Sequence, residues 1–147
     1  NSNLQVVVSG LKKDINLLSD DLNNKKIKNL NLNVSAPFHC KYMKTASDKM
    51  ISYINDLKMN ELEKPIISNV TANETSSLKE IKSLLISQIE KKVRWLESVE
   101  YMINNGVKNF VEIGPGKVLS GLIKRINKNV IVNSINSEED IKLLTND

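Results

Sequence analysis

Val107-Lys108-Asn109-Phe110-Val111-Glu112-Ile113 runs into Gly114-Pro115-Gly116, and then into Lys117-Val118-Leu119-Ser120-Gly121-Leu122-Ile123-Lys124-Arg125-Ile126. The first seven residues carry the short, β-branched and aromatic character of a strand. The glycines break it, and Leu119, Leu122 and Ile126 then recur at helical spacing, so residues 117–127 read as a helix. Residues 130–135 read as the next strand. Strand, helix and strand in immediate succession predict a parallel pair joined by a crossover, the unit of an α/β layered fold.

The rest of the chain extends the alternation. Residues 4–9 form a short apolar run closed by Gly10, a predicted buried strand. Leu11, Ile15, Leu18 and Leu22 predict a helix over 11–24. Leu30, Leu32 and Val34 alternate with asparagines and predict a strand with one solvated face, entered by a turn in the Asn/Lys-rich stretch 23–33. Met43, Ala46, Met50, Ile54 and Leu57 mark a helical stripe, residues 65–70 a further strand, and Leu78, Ile81, Leu85 and Gln88 another helix. Trp95, Val99, Met102 and Ile103 mark the helix before Asn104-Asn105-Gly106. Ser137, followed by Glu138-Glu139, predicts a capped final helix. A possible subdomain boundary falls near Ser35-Ala36-Pro37.

Composition narrows the functional classes. The 147 residues hold 21 Lys+Arg against 17 Asp+Glu, a net charge of +4, and 40% hydrophobic residues with few aromatics. Ile, Leu and Val must therefore fill the interior. Only Arg94 and Arg125 are arginines. The Lys, Asn and Ile excess reads mainly as the signature of an AT-rich genome, so it argues little for nucleic acid; a diffuse positive surface favours an acidic protein or a phosphorylated ligand. The single cysteine excludes an internal disulfide and a cysteine metal cluster, and fits a reducing compartment. No apolar run approaches the ~20 residues of a membrane span. The first residues are not a signal peptide; with no initiator Met and a predicted strand almost at the start, the expectation is a fragment of a longer protein.

Two places can carry chemistry. His39, the one histidine, lies in Val34-Ser35-Ala36-Pro37-Phe38-His39-Cys40, between a predicted strand and a helix. There it is either a packed or solvated loop residue, or a base that activates a nucleophile. Cys40 does not supply that nucleophile, because adjacent residues in an extended link point apart. With one histidine and sparse carboxylates nearby, no metal site is expected. Glu112-Ile113-Gly114-Pro115-Gly116-Lys117 offers glycines for close backbone approach and a helix N-terminus that favours negative charge. It lacks the P-loop spacing, and a plain strand-to-helix turn explains it as well. Lys124, Arg125 and Lys128 read as a solvated helix face, with partner docking as the lesser alternative.

Taken in order, these segments resemble the C-terminal half of the malonyl-CoA:acyl carrier protein transacylase family. The markers are Asn1-Ser2, Gln5-Val6-Val7-Val8-Ser9-Gly10, Val34-Ser35-Ala36-Pro37-Phe38-His39-Cys40, Ser68-Asn69-Val70-Thr71-Ala72, Gln88, Val93-Arg94-Trp95, Ser98-Val99 and the run from Val111 to Leu122. The resemblance implies a hydrolase-like α/β core with a small ferredoxin-like subdomain. Residues 1–35 would be part of the small subdomain, and 36–147 the C-terminal portion of the core. It implies ping-pong transfer of malonate from malonyl-CoA, through an acyl-serine, to the phosphopantetheine thiol of acyl carrier protein, in the cytoplasm and without a cofactor.

In that resemblance His39 takes the position of the general base and acid, and Gln88 that of the residue whose backbone carbonyl orients it. Asn1, Gln5, Asn69 and Val118 fall along the pantetheine and acyl channel. Phe38 matches the bulky residue that disfavours a methyl branch on the acyl group. The partners implied are malonyl-CoA, acyl carrier protein and a missing N-terminal half; nucleic acid and membrane are not expected. Departures accompany the match. The nucleophile motif Gly-His-Ser-x-Gly does not occur, nor does the arginine for the malonyl carboxylate or the glutamine-containing oxyanion segment, and Asn3-Leu4 replaces a common Pro-Gly. The chain alone is therefore expected to be inactive, and the alternative reading is a non-catalytic domain that binds acyl carrier protein.

Overall fold

The computed structural model describes residues 1–145, with side-chain surroundings given through residue 143. The elements are α1 (Lys12–Asn24), a 3-10 turn (Lys41–Met43), α2 (Lys44–Asp56), β1 (Ile66–Ile67), β2 (Glu74–Thr75), α3 (Leu78–Ser87), α4 (Trp95–Asn104), β3 (Asn109–Ile113), α5 (Val118–Ile126), β4 (Ile131–Ile135) and α6 (Glu138–Thr145). They fall into two compact units: Val7–Val93, and Arg94 onward together with Asn1–Val6.

The second unit contains the strand–helix–strand expected from 107–135. β3 and β4 pair in parallel, from Asn109 opposite Ile131 to Ile113 opposite Ile135. Their crossover is α5. Side chains alternate across a strand, so Phe110 faces inward while its neighbours Asn109 and Val111 are exposed. Phe110 packs with Val99 of α4, Ile123 of α5 and Val130, and Trp95, Met102, Ile103, Ile126 and Val132 close around them. Here the helical spacings in the sequence became inward faces. The final helix is capped as predicted: the Asp140 N–H donates to Ser137 Oγ at 3.3 Å, and Asp140 Oδ2 accepts from the Ser137 N–H at 3.0 Å.

The first unit packs α2 against α3, with Ile54 and Ile81 buried. Lys82 of α3 clasps the end of α2, its Nζ donating to the carbonyls of Asn55 at 2.6 Å and Leu57 at 2.7 Å. Ser77 caps α3 by accepting from the Glu80 N–H.

Three expected strands need correction. Residues 4–9 form no strand; Asn3-Leu4 instead make a tight turn closed by paired Ser2 and Gln5 backbone bonds. Leu4, Val6, Val7 and Val8 stay exposed. Residues 30–34 are irregular, with Leu30, Leu32 and Val34 exposed. An apolar run becomes a strand only with a partner for its backbone groups, and neither segment meets one among the described residues. The run 65–70 gives only two strand residues, and they pair antiparallel with β2 because Ser68–Asn73 folds straight back. The described sheets are thus one parallel and one antiparallel pair, a mixed α/β arrangement. The compact units divide at 6/7 and 93/94, and residues 146 and 147 of the expected core portion lie outside the described residues.

Ile123 is 4% exposed at the centre of the Phe110 cluster. Ile123→Ala should cost ~2–5 kcal/mol, read as a lowered urea midpoint at unchanged slope.

Candidate active site

His39 is held by backbone geometry and one hydrogen bond. Pro37 restricts Ala36 before it, and the Phe38 N–H donates to the Ala36 carbonyl at 2.9 Å. The chain then turns through His39 with φ of 60°, a left-handed conformation that non-glycine residues adopt at a cost of ~1–3 kcal/mol and that clusters at functional sites. The ring is thrown outward and is exposed. Cys40 is half-buried, its Sγ 3.0 Å from the Pro37 carbonyl, so it braces the loop.

The ring lands on the end of α3. His39 Nδ1 lies 2.9 Å from the backbone carbonyl oxygen of Gln88. Gln88 is the residue that caps α3 at its C-terminus, where carbonyls have no partner within the helix. A carbonyl only accepts, so Nδ1 carries the hydrogen and the neutral ring leaves its lone pair on Nε2. The pair therefore does one thing that a triad carboxylate does: it selects the tautomer with a basic Nε2.

Asn69 belongs to the same group. It sits in the turn between β1 and β2, and its Nδ2 donates to Gln88 Oε1 at 3.2 Å. Phe38 is 46% exposed beside His39 in the chain. The structure thus brings His39, Gln88 and Asn69 into direct connection within one unit.

Asn1, Gln5 and Val118 belong to the other unit. Val118 is the first residue of α5, exposed at the end of the Gly-Pro-Gly loop. Gln5 Oε1 accepts from Arg125 at 2.9 Å, a specific partner for an arginine on the face read as solvated, with partner docking as the lesser alternative. The loop itself is anchored by a residue quoted from the sequence without a role. Glu112 shares the inward face of β3 with Phe110, which directs its carboxylate at the start of α5. It accepts the Leu119 N–H at 3.0 Å and the Ser120 N–H at 2.8 Å, replacing the cap that Lys117 does not provide. Gly114 and Gly116 take φ of 133° and 93°, open to glycine at little cost, and the Gly116 N–H donates to Asn136 Oδ1. An acid placed just before a glycine turn and a helix is the signal that would have identified this clamp.

The described residues contain no group of three or more His, Cys, Asp or Glu placed to hold a metal, and no helix long and apolar enough to cross a membrane.

No protein-family model matches the chain. Individual proteins do. The malonyl CoA-acyl carrier protein transacylase of Staphylococcus aureus strain COL is 41% identical over 141 residues, covering 94% of this chain and 45% of that protein. The crystal structure of acyl-carrier-protein-S-malonyltransferase from Bartonella henselae superposes with a TM-score of 0.86 at 34% identity, over 91% of this chain and 43% of that one. Over nearly its whole length the chain is similar to the C-terminal half of the malonyl CoA-acyl carrier protein transacylases. It spans about 45% of the curated relatives' length. A complex of a type II PKS acyl-carrier protein with its malonyl-transacylase also matches, with a TM-score of 0.85 at 33% identity, over 94% of this chain and 45% of that one. These solved structures share the chain's mixed α/β arrangement.

Glu112 provides a pH test. Bonds from the Ser120 hydroxyl, then from the Ser120 and Leu119 N–H groups, hold its carboxyl below the usual carboxylate range. Asp140 is lowered too, first by the Asn136 N–H and then by Ser137 and the Lys117 charge. A depressed carboxyl contributes stability that is present above its unfolded value of ~4.3 and lost as pH falls through its folded value. Thermal unfolding of the chain should show Tm falling between about pH 6 and pH 3, and Glu112→Gln should flatten that fall by lowering Tm at the upper end.

Proposed function

We propose that this chain is the histidine-bearing half of a malonyl-CoA:acyl carrier protein transacylase, in which His39 is the general base and acid. The observation that carries the reading is the 2.9 Å contact of His39 Nδ1 with the Gln88 carbonyl, which leaves Nε2 basic and accessible. In the complete enzyme, His39 Nε2 takes the proton of a serine hydroxyl as that oxygen attacks the thioester carbonyl of malonyl-CoA. It returns the proton to the departing coenzyme A sulfur. It then takes the thiol proton of the carrier's pantetheine, and returns it to the serine oxygen as the malonyl group leaves. Each step exchanges one acyl bond for another, so no oxidant, metal or further cofactor enters. On this reading the reaction belongs to the cytoplasm.

On this reading Asn1, Gln5, Asn69 and Val118 line the path of the pantetheine and acyl group, and Phe38 disfavours branched acyl groups. Residues 1–35 complete a small ferredoxin-like subdomain, and 36–147 supply the C-terminal part of the core. The relatives' names and the carrier complex among the similar structures support the substrate pair. The Gly-His-Ser-x-Gly motif does not occur in these residues, and on this reading the nucleophilic serine lies outside them.

The purified chain should transfer no malonate. Together with a serine-bearing N-terminal half it should show a malonyl adduct by intact mass, discharged when acyl carrier protein is added. His39→Ala should slow both half-reactions by ~10²–10⁴-fold; unchanged rates would remove the histidine from the chemistry. Carrier binding without any adduct would instead mark a non-catalytic docking domain.

A further inference from the structure

We infer that Asn69 is a positioning residue that sets the tautomer of His39 through Gln88. The inference rests on the reading of His39 as the base, and adds to it the residue that holds the base's orienter in place.

The last turn of a helix is its loosest part, because its carbonyls lack intrahelical partners. The Gln88 carbonyl is such a group, and among the described residues it is the hydrogen-bond partner of the exposed His39 ring. With the ring exposed, its orientation depends on how steadily that carbonyl is presented. The Gln88 N–H is tied back to the Leu84 carbonyl at 2.9 Å, which fixes one side of the residue. The other tie is the side chain, whose Oε1 accepts from Asn69 Nδ2.

Asn69 is a firm anchor. Its turn is cross-braced by the Ser68 N–H to the Asn73 carbonyl at 3.0 Å and the Ala72 N–H to the Ser68 carbonyl at 2.9 Å. Ser68 Oγ accepts from the Val70 N–H at 3.1 Å. Ser68 and Ala72 are buried, and Ala72 holds φ of 57°. A braced turn flanked by buried Ser68 and Ala72 thus grips the side chain at the helix end, and that helix end orients the ring. Asn69 touches neither the ring nor a reacting atom on this account; it acts one residue removed.

The single histidine makes the test direct. In the 147-residue chain labelled with ¹⁵N-histidine, the ring nitrogen shifts report the tautomer of His39 alone, above the pH at which the ring is protonated. The unaltered chain should show the Nδ1–H form. Asn69→Ala should lower the ratio of Nδ1–H to Nε2–H by about threefold or more, a coupling of the size seen between contacting residues. Gln88→Leu, which keeps the backbone carbonyl and deletes Oε1, should do the same, and the double variant should do no more than either. Gln88→Glu keeps the acceptor and should retain the Nδ1–H form. These comparisons separate tethering from a general loss of structure. If the unaltered chain shows Nδ1–H and neither Asn69→Ala nor Gln88→Leu moves it, the inference is overturned and the His39 base reading stands. If the unaltered chain shows Nε2–H, both fall.

Discussion

A backbone carbonyl accepts hydrogen bonds and never donates them, and the chemistry available to this chain follows from that constraint at Gln88. Once His39 Nδ1 sits 2.9 Å from that oxygen, the position of the ring proton is settled and the basic nitrogen is Nε2. A carboxylate in the same place would stabilise the imidazolium more strongly, through a full charge. A helix end supplies a fraction of that charge.

The supporting structure serves presentation of this kind. Pro37 and the left-handed His39 aim the ring, Ser77 caps the start of α3, and Lys82 holds α3 to the end of α2. In the other unit, Glu112 performs the equivalent task for α5 and the Gly-Pro-Gly loop. Both devices use a local polar group to satisfy a helix end, and both locate a loop by doing so.

Helices were the legible part of the fold. Leu119, Leu122 and Ile126, or Trp95, Val99 and Met102, encode their inward faces locally, and α3, α4, α5 and α6 appear where their spacings and caps place them. The strand 109–113 was equally legible because its partner lies only a helix away. Residues 4–9 and 30–34 have strand-like sequences and form none, since pairing is a property of two segments and the sequence of one does not reveal the other. At the site, the resemblance brought His39 and Gln88 to attention as a pair, which no local pattern does across 49 positions. The links from Asn69 to Gln88 and from Arg125 to Gln5 left no trace in spacing at all. Glu112 was within reach of local reasoning, because strand alternation puts it on the face of Phe110, directly before the helix it caps.

The β3–β4 pair has a further consequence. Among the described residues each of these strands has one neighbour, so each presents an open row of backbone donors and acceptors, with Val111, Ile113 and Ile131 exposed alongside. Open edges of that kind template the addition of further strands. Expressed by itself at high concentration, the chain carries a self-association hazard confined to this sheet, and a segment that occupied those edges would act as a solubility partner before it contributed anything to catalysis.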